Sequence, residues 1–330
     1  MFDAITDVPG IEVGQAQDLD GGTGCTVVLA RKGAVGGVDV RGGAPATRET
    51  ELLAPENLVE KVNAVYLGGG SSFGLAGATG VVDELEEQGI GYDVGVTVVP
   101  IVCGACIIDL TVGDHRARPT AAMGREACRA ARSGPVAQGN VGAGTGASLG
   151  SKALPGLRMK GGIGTASCKV GELIVGAIVV VNPLGDVRDP RTGEILAGML
   201  TETGDDFAGV LRLLESLRPG DRAYAGNTTC GVVATNASLT KAQARRVSIM
   251  AHDGYARAIN PIHTLWDGDT VFTLATGEVE AEVNLVGALA AEVMARAVVS
   301  GVVHAESRYG LPSCREIQER MGRRKAQGPA

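Results

Sequence analysis

Short apolar runs recur along the chain at residues 25–30, 64–67, 173–181, 231–235 and 270–275, each closed off by Gly, Asn or Asp. Runs this short, dense in Val, Ile and Ala and without polar alternation, predict strands buried on both faces. Between them apolar positions return every three or four residues, which predicts helices over 75–88, 120–132, 206–216, 241–259 and 282–300. The 241–259 helix is opened by Thr240 with Gln243 three residues on, a capping-box pattern, and Val247, Met250, Ala251, Tyr255 and Ala258 line one side of it. The 282–300 helix is apolar around most of its circumference, through Leu285, Val286, Leu289, Val293, Met294, Val298 and Val299, so it is expected to be covered on both sides and stopped by Gly301. Two-faced apolar strands alternating with such helices predict an α/β protein in which sheets are sandwiched by helical layers. No break in composition divides the chain, so residues 1–330 are expected to form one domain, with 307–330, charged and Gly/Pro-bearing, as a loose tail.

Composition narrows the function classes. Aromatics are 3% of the chain while Gly reaches 50 residues, so the core must be aliphatic and closely approached by backbone. A net charge of −7 with no Lys/Arg block leaves no electrostatic footprint for nucleic acid or an anionic membrane. The N-terminus lacks a basic region followed by an apolar one, and no uninterrupted apolar stretch approaches the roughly 18 residues that span a bilayer. A cytoplasmic protein acting on small molecules or peptides is expected. The seven cysteines lie in apolar surroundings and read as small buried thiols. Cys103 and Cys106 have redox or metal spacing but no second pair, and the four histidines show no HExxH arrangement, so neither metal nor cofactor is expected.

Two stretches carry candidate chemistry. Gly226-Asn227-Thr228-Thr229-Cys230-Gly231 sets small polar residues just before a strand, and Asp267-Gly268-Asp269 sets two carboxylates just before another. Each pattern is also ordinary turn chemistry, and spacing alone leaves both readings open. Gly68-Gly69-Gly70-Ser71-Ser72-Phe73-Gly74 follows a strand and opens a helix, as phosphate sites do, but it fits neither GxGxxG nor a GK[ST] loop. It reads as backbone beside a substrate pocket, with Ser71 and Ser72 as lining groups. His252-Asp253 has no GxSxG serine to serve, and His252 reads as structural, whereas His263 stands close enough to the acids to join their network.

These motifs, together with Ile5-Thr6-Asp7-Val8-Pro9-Gly10, Arg41-Gly42-Gly43-Ala44-Pro45 and Lys160-Gly161-Gly162-Ile163-Gly164-Thr165, appear in order over residues 1–305. In that order they resemble the P1 (S58) peptidase family of D-aminopeptidases, β-peptidyl aminopeptidases and endo-type nylon-oligomer hydrolases. The Asn-Thr-Thr form is similar to the threonine-nucleophile members. The resemblance implies a four-layer α/β/β/α sandwich made as a precursor and cut between Asn227 and Thr228, giving chains of residues 1–227 and 228–330. It implies a homo-oligomer of four such pairs. It further implies that Asn182 donates its amide to the oxyanion, that Asp267 and Asp269 orient and tune a nearby cation, and that a lysine completes the site. Lys152 is the first choice, one residue beyond the family's spacing, and Lys160 the second. Ile108 stands where the family often carries a tyrosine, so a backbone N–H or a water must take that donor's place.

The chemistry is coherent without the family. A threonine hydroxyl needs a base to become a nucleophile. Cutting before Thr228 would free an α-amine of reference pKa about 7.7–8.0, tethered to the hydroxyl it must deprotonate. The expected activity is amide hydrolysis through an acyl-enzyme on Thr228. The alternatives are an acyltransferase resembling ornithine acetyltransferase, whose Ala-Thr-Met-Leu motif is absent here, and an uncut, non-catalytic binding protein.

Overall fold

The computed structural model describes residues 1–151, 153–218 and 226–327. The strands that build the site are β1 (Glu12–Asp18), β2 (Thr23–Val40), β3 (Lys61–Gly68), β4 (Val102–Cys106), β5 (Gly162–Val170), β6 (Leu173–Asn182), β7 (Thr228–Ala237) and β8 (Thr270–Val279). The helices are α1 (Gly77–Glu87), α2 (Ala121–Ala130), α3 (Val210–Glu215), α4 (Lys241–Ala258), α5 (Val283–Val303) and α6 (Cys314–Gln327).

Hydrogen bonding runs continuously in the order β5-β6-β7-β8-β2-β3-β4, with β1 added to β2. The path forms two layers because β2 is long enough to serve both. Residues 23–29 pair with β1, pairing with β3 runs from 25 to 35, and residues 35–40 pair with β8. Successive strand residues point to opposite faces, and the clusters follow that period of two. Val179, Val181, Val233 and Val271 face α4 and α5, packing with Val247, Tyr255, Val293 and Val298. Their neighbours Ile178, Val180, Val232 and Phe272 face the other way, onto Val28, Val65 and Leu67 of the second layer. The far side of that layer, Val27, Leu29 and Tyr66, meets Ala78, Val81 and Leu85 of α1 and Ala127 and Cys128 of α2. The result is the four-layer α/β/β/α sandwich, and the apolar-both-faces runs are its inner strands.

Three expectations are revised by packing. Helix α5 does not stop at Gly301 but continues to Val303. At that glycine it lies directly on β5, and a Cβ on the facing Gly164 would meet Gly301 N at 2.2 Å. Gly301 therefore permits close approach rather than ending the helix. By length and composition α5 could cross a membrane, yet Val286, Val293, Met294 and Val298 belong to the core. The 206–216 helix is reduced to α3, since Leu200 bridges to Phe207 and Gly209 takes φ +78°. The tail from 307 is not loose throughout: α6 buries Cys314 and Ile317 against the α4/α5 core. On β4, Cys103 and Cys106 fall in clusters on opposite sheet faces, so the pair cannot chelate.

Candidate functional site

Strand pairing brings distant polar residues to one end of the first layer. Antiparallel β6 and β7 set Asn182, the last residue of one, opposite Thr228, the first of the other. Strands β7 and β8 are parallel, so the turns that enter them lie side by side, and a bridge joins Asn227 to Asp267. The Asn-Thr-Thr and Asp-Gly-Asp stretches, some forty residues apart in sequence, thus become neighbours in space.

Both acids are completely buried. Asp269 accepts the Thr229 N–H at 2.7 Å through Oδ1, while Oδ2 accepts the His263 N–H at 3.0 Å and lies 2.9 Å from His263 Nδ1. Asp267 accepts the Leu184 N–H at 3.1 Å and the Thr264 hydroxyl at 2.5 Å. Burial, reinforced by the charge of Asp269, pushes the Asp267 carboxyl up to about 7, against the bonds from Thr264 and Leu184. His263, as its sequence position suggested, is part of this network, and its ring packs edge-on against His252, centroids 4.7 Å apart. Burial drives the His252 imidazole down to about 4, so that ring is neutral; its Nε2 is 3.0 Å from the Asp39 carbonyl.

The peptide bond joining Asn227 to Thr228 sits in this cluster. Thr228 is 1% exposed, and its hydroxyl is hydrogen-bonded to the Asn227 carbonyl oxygen. The same oxygen accepts the Gly268 N–H at 3.2 Å. A side chain at 268 would collide, because a Cβ there would meet Thr228 Oγ at 2.8 Å and Ala44 O at 2.7 Å. The Asn227 side chain donates through Nδ2 to the carbonyls of Gly150 and Asn182, each at 3.2 Å. Asn182 is held by its Oδ1, which accepts the Ser148 N–H at 2.9 Å, while its Nδ2 makes only a 3.4 Å bond to Ile108 O. The Ile108 side chain packs on Gly226, just ahead of the Asn-Thr bond.

The remaining candidates fall differently. Lys152 lies outside the described residues. Lys160 is fully buried and donates to the carbonyls of Gly144, Ala147 and Gly161 at 3.0, 2.8 and 2.8 Å. Burial pulls its ammonium down to about 7, with Asp109 pulling the other way. Among the described residues no lysine or arginine pairs with Asp267 or Asp269, and the ring that meets the acids is that of His263, its Nδ1 2.9 Å from Asp269 Oδ2. Ser71 donates its N–H to Ile107 O at 2.9 Å, one residue from Ile108, whereas Ser72 is exposed; neither bonds to Thr228 or the acids. Sequence reasoning missed Gly268, Thr264, Leu184 and Ser148. The Thr-x-x-Asp spacing of Thr264 and Asp267 was a readable signal; the other three act through backbone N–H groups, which sequence does not mark.

The sequence profile of peptidase family S58 matches residues 3–313. An uncharacterized aminopeptidase of Mycobacterium tuberculosis is 44% identical, over 96% of this chain and 98% of its own. A 6-aminohexanoate-oligomer endohydrolase of Kocuria is 32% identical, over 89% of this chain and 84% of its own. Among solved structures, the L-aminopeptidase D-Ala-esterase/amidase of Ochrobactrum anthropi, a variant of the Ntn hydrolase fold, aligns with a TM-score of 0.71 at 19% identity over 98% of this chain and 94% of its own. A Burkholderia β-aminopeptidase aligns with a TM-score of 0.70 at 23% identity, over the same shares. The fold, the family match across nearly the whole chain and the named relatives agree: the chain belongs to peptidase family S58 and is a hydrolase of amide and peptide bonds.

Proposed function

We propose that this hydrolase makes its own active site by cutting the Asn227–Thr228 bond, and that Thr228 then works as an N-terminal nucleophile. The observation that carries the reading is the geometry around one carbonyl: the Thr228 hydroxyl and the Gly268 N–H both lie on the Asn227 oxygen, inside a buried acid pair. Attack by Thr228 Oγ on the Asn227 carbonyl carbon forms a C–O bond and places negative charge on that oxygen, where the Gly268 N–H stabilises it. The amide C–N bond then breaks, the nitrogen takes up the hydroxyl's proton, and an ester remains. Water hydrolyses the ester, leaving a carboxylate on residue 227 and a free amine on Thr228.

In the cut enzyme that amine accepts the hydroxyl proton as Oγ attacks a substrate amide, and a second water releases the acyl group. Asp269 fixes the Thr229 N–H and so the start of β7; Asp267 anchors the Leu184 and Thr264 turns and keeps the site receptive to a cation. Asn182 Nδ2, weakly held in the uncut chain, is the second oxyanion donor, worth about 3 kcal/mol for a donor of this kind. The substrates are peptides or related amides bearing an amino group, and the working form is a cytoplasmic homo-oligomer of cut pairs. Intact mass spectrometry and N-terminal sequencing test the reading. A second chain beginning at Thr228 is expected; a single full-length mass after prolonged incubation, or a cut elsewhere, overturns it.

A further inference from the structure

Self-cutting and substrate hydrolysis use one attacking atom, so a substrate's reacting carbonyl must take the place that the Asn227 carbonyl holds in the uncut chain. Whatever is attached to it must then lie where the Asn227 Cα and side chain lie. That seat is built from acceptors. The Gly150 and Asn182 carbonyls are each 3.2 Å from Asn227 Nδ2, and because both can only accept, the amide's nitrogen end must face them. The Asn227 backbone N–H points to a third carbonyl, that of Trp266, at 3.4 Å. Asn227 is 3% exposed and Asn182 fully buried, so an occupant without a donor would cost these two oxygens the bonds that Asn227 Nδ2 supplies. No acid hydrogen-bonds to Asn227 Nδ2 among the described residues, but the pair Asp267 and Asp269 adjoins the scissile bond and favours positive charge.

We propose that the seat of the Asn227 side chain is the acyl subsite of the cut enzyme, selective for acyl groups with a nitrogen donor four bonds from the reacting carbonyl. Asparagine meets that rule, since its Nδ2 is four bonds from its own carbonyl carbon, and so does a 4-aminobutanoyl group, whose ammonium adds a charge suited to the acids. A 3-aminopropanoyl group falls one bond short, and a 6-aminohexanoyl group overshoots by two. The inference rests on the self-processing reading and requires residue 227 to leave the seat after the cut.

The test is a series of p-nitroanilides on the purified protein: butanoyl, 3-aminopropanoyl, 4-aminobutanoyl and 6-aminohexanoyl, with intact mass recorded on the same sample. The 4-aminobutanoyl compound is expected to exceed butanoyl in kcat/KM by about a hundredfold, the scale set by leaving buried acceptors unpaired, and to exceed both other amines. A cut, active enzyme that hydrolyses butanoyl equally well, or prefers the shorter or longer amine, overturns the subsite and leaves the self-processing reading standing. A chain that stays whole and hydrolyses none of the four overturns both.

Discussion

The buried polar clusters around Lys160 and around Thr228 differ in how their groups are satisfied. Around Lys160, all three ammonium protons go to backbone carbonyls. Nearby Asp109, the acid that acts on this lysine, accepts the Thr23 hydroxyl at 2.7 Å and the Gly70 N–H at 2.6 Å. That cluster ties loops together. Around Thr228, two carboxylates share one space without a lysine or arginine between them among the described residues, and a hydroxyl is turned onto a peptide carbonyl. Burial is equal in the two, so burial does not distinguish scaffold from chemistry. What distinguishes them is a hydroxyl held on the carbonyl of the preceding peptide bond, the contact on which the proposed self-cutting rests.

The largest effect that would sharpen this contrast belongs to Thr228→Ala: the 330-residue chain should fold, stay whole on a denaturing gel and lack hydrolase activity. Cutting that persists in the variant would remove Thr228 as nucleophile. Next, Gly268→Ala sets a Cβ 2.8 Å from Thr228 Oγ and disturbs the N–H on the Asn227 carbonyl. Self-cutting, followed by gel densitometry, should slow by about a hundredfold, the scale of losing one oxyanion donor; an unchanged half-time would show that this N–H carries no charge in the transition state.

Lys160→Met should behave in the opposite way. Three buried carbonyls lose their donor, so stability to urea should fall by about 3 kcal/mol while the cut after Asn227 still occurs in the folded fraction. If instead stability holds and cutting stops, the two clusters have been assigned the wrong way round. His263→Ala removes the ring 2.9 Å from Asp269 but leaves the Thr229 bond to that acid, and a loss of about tenfold in activity is expected from one buried hydrogen bond.

The smallest effect is one of pH. Burial raises the Asp267 carboxyl above its ordinary value of 3.8, so the fold favours the protonated acid. The stability it contributes is full below about pH 4 and is lost as pH rises through about 7. In the uncut Thr228→Ala background, Asp267→Asn should flatten that decline between pH 4 and 7, read as urea midpoints. An identical pH profile in the two proteins would place the acid's titration elsewhere.

How much of this was legible follows from the range of each signal. Apolar runs without alternation marked the inner strands, and Thr240 with Gln243 marked the start of α4, where the capping box forms. The Asn-Thr-Thr and Asp-Gly-Asp turns could be singled out as residues. Strand β2 could not be read to its full length, because residues 31–40 mix Lys, Arg, Gly and Asp and are held as strand by remote partners, β3 at residues 34 and 35 and β8 at 35–40. Gly301 looked like a helix stop because sequence does not reveal that β5 presses on it.

Element type, the buried faces and the list of candidate side chains were therefore set by the sequence, since they depend on residues a few positions apart. Tertiary structure alone decided that β7 runs parallel to β8, that the Gly268 N–H meets the Asn227 carbonyl, and that Lys160 spends its protons on loop carbonyls. A hydrogen bond needs its partner within about 3 Å. Which remote atom arrives there depends on the register between strands far apart in the chain, and no local pattern encodes it.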